Sequence, residues 1–273
     1  MNQPKDEHES PQQEILKHEH IMSASARVDP ELRRRSELLW EDRSAPTRGP
    51  KPSVTPGQVV EAAIALADVD GLRAVTMQAV AARLGLTTMA LYRYFPSKEA
   101  LCDAIVDAGM GLPPARPEPR LGWRAEVAAW ARAKRRVLIA RPWLAELPFV
   151  AAPHGPNWLL WLEALLDALA PTGLRAQELA ELLSVVDGFT RGAWDTAVSL
   201  ARAHAQGVST EDWAAAVGAD LGRAIGDARF PRWSALLTAT QDDAGRTLDQ
   251  SFDFGLERVL DGLEVYVRSA TRG

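Results

Sequence analysis

Beyond residue 55, the apolar residues recur three and four positions apart, and Pro or Gly separates one apolar stretch from the next. No stretch there alternates Val, Ile, Thr or aromatic residues with polar ones, as a half-buried strand would. The sequence therefore predicts an all-α fold. The expected helices lie at 56–70, 77–84, 88–94, 97–111, 121–140, 143–148, 156–170, 175–205, 210–226, 232–239 and 246–269.

The N-terminal part of the chain differs from the rest in composition. Residues 1–50 are expected to form a mostly disordered extension, since the first 28 are rich in Gln, Glu, His and Ser. One short helix is predicted from Asp29 to Arg43, with Asp29 as its N-cap. Four prolines then mark an extended linker, and Thr55 and Gln58 form a candidate capping box where the first helix of a domain begins.

Charge is unevenly distributed along the chain. The net charge is −5, which argues against nonspecific nucleic-acid binding by the whole molecule. Residues 43–98, however, hold seven Lys and Arg against three Asp and Glu, while the segments on either side are net acidic. A compact basic segment between acidic neighbours is the pattern expected where one small module meets phosphate.

Two short helices joined by a glycine turn lie within this basic segment. Thr76 is a candidate cap for the first, Gly85 ends it, and Thr87 caps the second, which Pro96 stops. This is the helix-turn-helix pattern, in which the second helix enters the major groove of DNA. Another small helical bundle can contain the same pattern. The hydroxyls, phenols and cations of the second helix favour DNA binding.

The run from Thr76 to Leu101 resembles the N-terminal signature of the TetR family of bacterial regulators. The resemblance implies that Thr88, Met89 and Ala90 face bases and that Tyr92, Tyr94 and Lys98 hold phosphates. For Arg93, reading a base and holding a phosphate remain alternatives. The residues expected at DNA are Thr76, Thr87, Thr88, Met89, Ala90, Tyr92, Arg93, Tyr94 and Lys98, together with Arg48 and Lys51 upstream.

Arg48 and Lys51 lie in a segment that looks like the basic arm preceding this domain in many actinobacterial-type members. Such an arm can reach the minor groove or the phosphate backbone, and the alternative is a solvated linker. We expect a DNA-binding domain at 51–111 and a ligand-binding and dimerisation domain, a helical bundle, at 112–273.

The last part of the chain resembles the tetracycline-repressor-type C-terminal domain, chiefly through residues 252–264. The resemblance implies that two long helices pair with their twofold mates in a four-helix dimer interface. The alternative is that both apolar stripes belong only to the core of one chain. The expected interface residues are Leu182, Val186, Phe252, Leu256, Val259 and Leu263.

Eight of the nine Trp residues lie beyond residue 120. Aromatic residues with a few polar neighbours are typical of a small-molecule pocket, although aromatics at helical spacing also form ordinary core. The expected pocket residues are Trp143, Phe149, His154, Trp158, Trp161, Phe189 and Trp194.

Other functions find little support in the sequence. We find no metal-ligand spacing, no Gly-rich phosphate loop and no nucleophile motif, so we expect no catalytic residue, no metal and no cofactor. No membrane segment or signal peptide is predicted, which indicates a cytoplasmic protein. We expect a homodimeric repressor that binds double-stranded operator DNA and is released by an unknown small apolar or aromatic effector. The alternative is an all-α ligand carrier or enzyme with a vestigial helix-turn-helix.

Overall fold

The computed structural model describes residues 29–41, 54–146, 154–205, 207–239 and 247–270, and within these ranges the chain forms helices and no strands. The predicted all-α fold is confirmed. The helices are α1 (Pro30–Trp40), α2 (Pro56–Asp70), α3 (Met77–Arg83), α4 (Thr88–Leu91), α5 (Lys98–Met110), α6 (Trp123–Ala140), α7 (Pro156–Leu169), α8 (Ala176–Ala205), α9 (Thr210–Gly222), α10 (Pro231–Ala239) and α11 (Leu248–Ala270).

The predicted helix starts in the first half of the chain are confirmed by their capping bonds. The Asp29 carboxylate accepts from the Glu31 amide at the start of α1. Thr55 and Gln58 form a reciprocal capping box at the start of α2. The hydroxyls of Thr76 and Thr87 accept from the third amide of α3 and of α4, respectively. Each cap satisfies an amide that has no partner inside its helix.

Several predicted helix ends were too long. The helix expected at 88–94 ends at Leu91 and continues as a turn over 92–94. The helix expected at 210–226 ends at Gly222, and a turn leads to Gly226, whose φ of 79° is left-handed. A 3-10 helix, Pro142–Glu146, replaces the described part of the segment expected at 143–148. Glycine and proline favour these stops, but their exact positions depend on tertiary packing.

The first three helices after the linker form a small head. Val59 of α2, Val80 of α3 and Leu91 of α4 are completely buried in it. Helix α5 adds Leu101 and Ile105, which are also completely buried. Since α5 contacts α2 in the head and α7 beyond it, it joins the head to the rest of the chain.

The remaining core lies among α6, α7, α8 and α11, which together are called the bundle below. Helix α6 contacts each of the other three. The packing side chains include Trp161 and Leu165 of α7, Val186 of α8 and Leu256 of α11, all at most 1% exposed. None of the described helices is long and apolar enough to cross a membrane.

Candidate DNA-binding head and effector domain

Helix α4 presents one face to solvent and anchors the other in the head. Leu91 and Phe95 are buried, whereas Met89 is 74% and Tyr92 43% exposed. Because two apolar anchors flank the turn after α4, the exposed side chains are held on a fixed backbone. The head therefore offers a short, rigid surface of the kind that enters a DNA groove.

The turn between α3 and α4 is held by backbone and side-chain bonds. Gly85 has a φ of 67°, a left-handed value that a residue with a Cβ adopts at a cost. The Leu86 amide donates to Ala81 O at 2.9 Å, and the half-buried Leu86 side chain packs against the head core. The turn thus fixes the orientation of α4 relative to α3.

The expected DNA-binding residues fall into groups by exposure. Arg93 and Lys98 are exposed, as are Met89 and Tyr92. The half-buried members are Thr88, Ala90 and Tyr94, and Tyr94 packs against the head core. Thr76 and Thr87 are exposed, but their hydroxyls already cap helices. Arg48 and Lys51 lie outside the described residues. The individual DNA contacts of all these residues stay predictions.

Comparison with known proteins identifies the family. Residues 59–105 match the family of bacterial regulatory proteins called tetR, and residues 116–267 match the tetracycline repressor-like C-terminal domain. The HTH-type transcriptional repressor DrrR1 of Streptomyces coeruleorubidus is 36% identical over 241 residues, which cover 87% of each chain. The chain belongs to the TetR family. Its helix α1 lies outside both matched ranges.

Two further relatives of this TetR-family protein show how far the likeness extends. The tetracycline repressor protein class A from transposon 1721 of Escherichia coli is 30% identical over 213 residues, covering 76% of this chain and 89% of that protein. The structure of ActR from Streptomyces coelicolor superposes with a TM-score of 0.66 and 23% identity, covering 81% of this chain and all of ActR. ActR has also been solved in complex with actinorhodin.

Three of the expected pocket residues form part of the packed interior. The indole N–H of Trp143 donates to the Asp68 carboxylate at 2.7 Å, that of Trp161 to Gly111 O at 3.1 Å, and that of Trp194 to Leu138 O at 2.8 Å. All three side chains are at most 4% exposed. Their burial and satisfied N–H groups are what the core alternative requires.

The other expected pocket residues are less enclosed. The rings of His154 and Trp158 are in tilted contact at the start of α7, with centroids 3.9 Å apart, and both side chains are half-buried. Phe189 is half-buried and packs on Phe252. Phe149 lies outside the described residues. A pocket lined by this set stays a prediction.

A buried charge that the sequence analysis missed lies in the bundle. Lys134 of α6 is 1% exposed, bonds to the Asp187 carboxylate of α8, and lies 4.9 Å from the centre of the Trp130 ring. Burial lowers the pKa of Lys134, and the Asp187 carboxylate opposes that effect. A charged pair in a core gives little net stability, so stability alone does not account for this pair.

Among the described residues, two grooves on the surface of the bundle can be outlined. One, of about 520 Å³, lies between the start of α6 and α11 and includes Trp123, Arg124 and Glu257. The other, of about 200 Å³, lies between the 114–121 linker, α6 and α7, and includes Trp130 and Asp167. None of the expected pocket residues lines either groove.

The joint between head and bundle is held by contacts that the sequence analysis did not find. The Asp107 carboxylate of α5 accepts from the amides of Asn157 and Trp158 in the first turn of α7, at 3.2 and 2.9 Å. Burial raises the pKa of Asp107, and these two bonds oppose the rise. Arg141, after α6, also donates to Gly109 O at 2.7 Å. A displacement of α6 or α7 would therefore be transmitted to α5 through these hydrogen bonds.

The expected dimer residues are largely covered within a single chain. Leu182, Val186, Phe252, Leu256 and Leu263 are at most 7% exposed within a single chain, and Val259 is half-buried. Side chains already covered by their own chain have little surface left for a partner, so their burial favours the intrachain alternative. Other residues of α8 and α11 face outward. They are Val185 and Gly192 on α8, and Phe254, Gly262 and Val265 on α11.

Proposed function

We propose that the protein is a homodimeric, effector-responsive repressor that binds operator DNA through two helix-turn-helix heads. The observation that carries the proposal is the exposed face of α4, with Met89, Tyr92 and Arg93 held over the buried Leu91, in a chain of the TetR family. Such a dimer binds half-sites about one DNA turn apart. A regulator of this kind acts on DNA in the cytoplasm and needs no catalytic residue.

The dimer surface is proposed on the outward faces of α8 and α11. On α11, Phe254, Arg258, Gly262 and Val265 follow one another at helical spacing and are exposed. On α8, Val185 is 47% exposed, and a Cβ added at Gly188 or Gly192 would meet no atom within 4 Å. Glycines on an exposed helix face allow a second helix to approach closely.

The effector is proposed to bind within the bundle of α6, α7 and α8. The actinorhodin complex of ActR, a protein of the same fold, supports a small-molecule effector. The residues proposed to take part are the half-buried His154, Trp158 and Phe189, with the Lys134–Asp187 pair as a polar contact. An apolar site with few polar groups is typical of such pockets.

Release of the repressor from operator DNA would follow from a displacement of α5 when the effector binds. A ligand that favours a different packing of α6 and α7 shifts the equilibrium between head positions only through its different affinity for the two arrangements. The Asp107 bonds to the start of α7 and the Arg141 bond to Gly109 O supply the physical connection. Each head moves with α5, so the distance between the heads changes.

The proposal is tested by selecting bound fragments from genomic DNA with the purified protein, followed by titration of salt against affinity. A sequence-specific repressor should enrich paired half-sites and bind them with an affinity that falls steeply with salt, because phosphate contacts release counterions. An all-α carrier or enzyme with a vestigial helix-turn-helix should enrich no sequence. Failure to enrich any site would contradict the proposed function.

A further inference from the structure

Helix α1 lies outside both segments that match the TetR family, yet it packs on the joint between head and bundle. It contacts α5, and Leu38 packs against the core. Its outer face is exposed at Arg33, Arg34 and Glu37. A helix in this position affects how the head is held rather than how it is built.

The contact between α1 and α5 is a two-point ion pair. The Arg35 Nε donates to Asp103 Oδ2 at 2.6 Å, and Arg35 Nη2 donates to Asp103 Oδ1 at 2.7 Å. The Asp103 side chain is only 3% exposed. A guanidinium bound to a carboxylate through two parallel bonds fixes direction as well as distance. Rotation of α5 under α1 would break at least one of the two bonds.

The far end of α1 reaches the bundle. The Trp40 indole N–H donates to His154 O at 3.2 Å, just before α7. Helix α7 is in turn bonded to α5 through Asp107, which lies one turn after Asp103. The contacts thus close a ring from α1 to α5, from α5 to the first turn of α7, and from the His154 carbonyl just before α7 back to α1. A closed ring of contacts opposes sliding between the helices. A shift of α5 against α7 would strain or break at least one of the hydrogen bonds in the ring.

We propose that α1 is an intramolecular strap that fixes the head against the bundle and thereby sets the half-site spacing that the dimer accepts. This inference rests on the proposed two-headed binding to operator DNA. Insertion of one base pair between half-sites moves them about 3.4 Å apart and turns them by roughly 35°. A strapped dimer cannot follow that change, whereas an unstrapped dimer follows it in part.

The test compares the affinity of the full-length protein for its selected operator with that for the same operator carrying one inserted base pair. The ratio of the two Kd values is the spacing penalty. Arg35→Gln should reduce this penalty by about 2- to 30-fold, the range for changes that modulate coupling between sites. Arg34→Gln is the matched control, because it removes the same charge from the exposed face of α1 and should leave the penalty unchanged.

Arg35→Gln leaves the Asp103 carboxylate buried without its partner, which can unfold α5. The double variant Arg35→Leu/Asp103→Leu removes both charges together and should show the same reduced penalty with thermal unfolding close to wild type. A spacing penalty equal to that of wild type in the folded double variant would overturn the strap. A wild-type protein that binds both operators with the same Kd would also overturn it. If the wild-type protein shows no salt-dependent binding to any operator, the proposed function itself is contradicted.

Discussion

Lys98 and Tyr92 are exposed side chains of the head that the resemblance assigns to phosphates. Lys98→Ala should weaken binding to all DNA sequences similarly and lower the slope of log affinity against log salt by about one unit. Tyr92→Phe should weaken binding to the same degree across sequences, because it removes one hydroxyl bond. Arg223→Ala, at the exposed residue that follows α9, is the control. Unchanged affinity at low salt would contradict both roles.

Arg93 is exposed at the end of α4, and its role decides how this head reads sequence. If the guanidinium binds a guanine, Arg93→Ala should relax specificity at one operator position by about 1–3 kcal/mol. If it binds a phosphate, the variant should lose affinity evenly at every position. A base-resolved binding profile of wild type and variant separates the two, and a profile identical to wild type would exclude both.

Gly155 lies just before α7, and the Asp107 carboxyl group packs directly against it. A Cβ at this position would overlap that carboxyl group, which already holds the amides of Asn157 and Trp158. Gly155→Ala should therefore cost about 1–3 kcal/mol of unfolding free energy, as other overpacked sites do. Gly218→Ala, in open space on α9, should be neutral or stabilising. Equal denaturation midpoints for the two variants would contradict the close packing at this joint.

Whole elements were predictable where the signal is local. Thr55, Thr76 and Thr87 cap their own helices, so the sequence places these starts correctly. The partners of Asp103 and Asp107 lie about 50 to 70 residues away in the chain, and no spacing rule brings them together. The family signature reveals α3 and α4 but says nothing of α1, whose docking depends on those distant contacts.

The N-terminal extension contains two elements that can be tested separately. Deletion of residues 1–28 should leave folding and operator affinity nearly unchanged, because it spares α1 and the basic arm. Arg48→Ala/Lys51→Ala in the full-length chain should weaken operator binding and lower the salt slope by about two units, one for each lost phosphate contact. Salt titrations of the three proteins give the comparison. If the double variant has the same slope of log affinity against log salt as wild type, the arm makes no phosphate contact and is only a linker.

For the molecule as a whole, the apolar stripes of α8 and α11 are visible in the sequence, and their burial within one chain favours the intrachain alternative over the dimer interface. Helical periodicity marks the face of a helix that is buried and does not say which surface buries it. Val186 and Leu256 are completely buried within their own chain. The dimer surface must therefore be sought at positions that one chain leaves open.

Phe254 and Val265 test this revised dimer surface, because they are 46% and 70% exposed on one face of α11. Phe254→Asp/Val265→Asp should place unpaired carboxylates in the apolar contact between chains, where their burial is costly. Sedimentation should then show monomers with unchanged helical circular dichroism. Operator affinity should fall steeply, because the second head is no longer brought to its half-site.

Leu256→Asp is the matched comparison on the same helix, since its side chain is completely buried within one chain. This variant should lower the thermal unfolding temperature instead, because the charge enters the intrachain core. A dimer that persists in Phe254→Asp/Val265→Asp would place the contact elsewhere. Full operator affinity in a proven monomer would defeat the two-headed mechanism itself, because one head would then supply all of the binding energy.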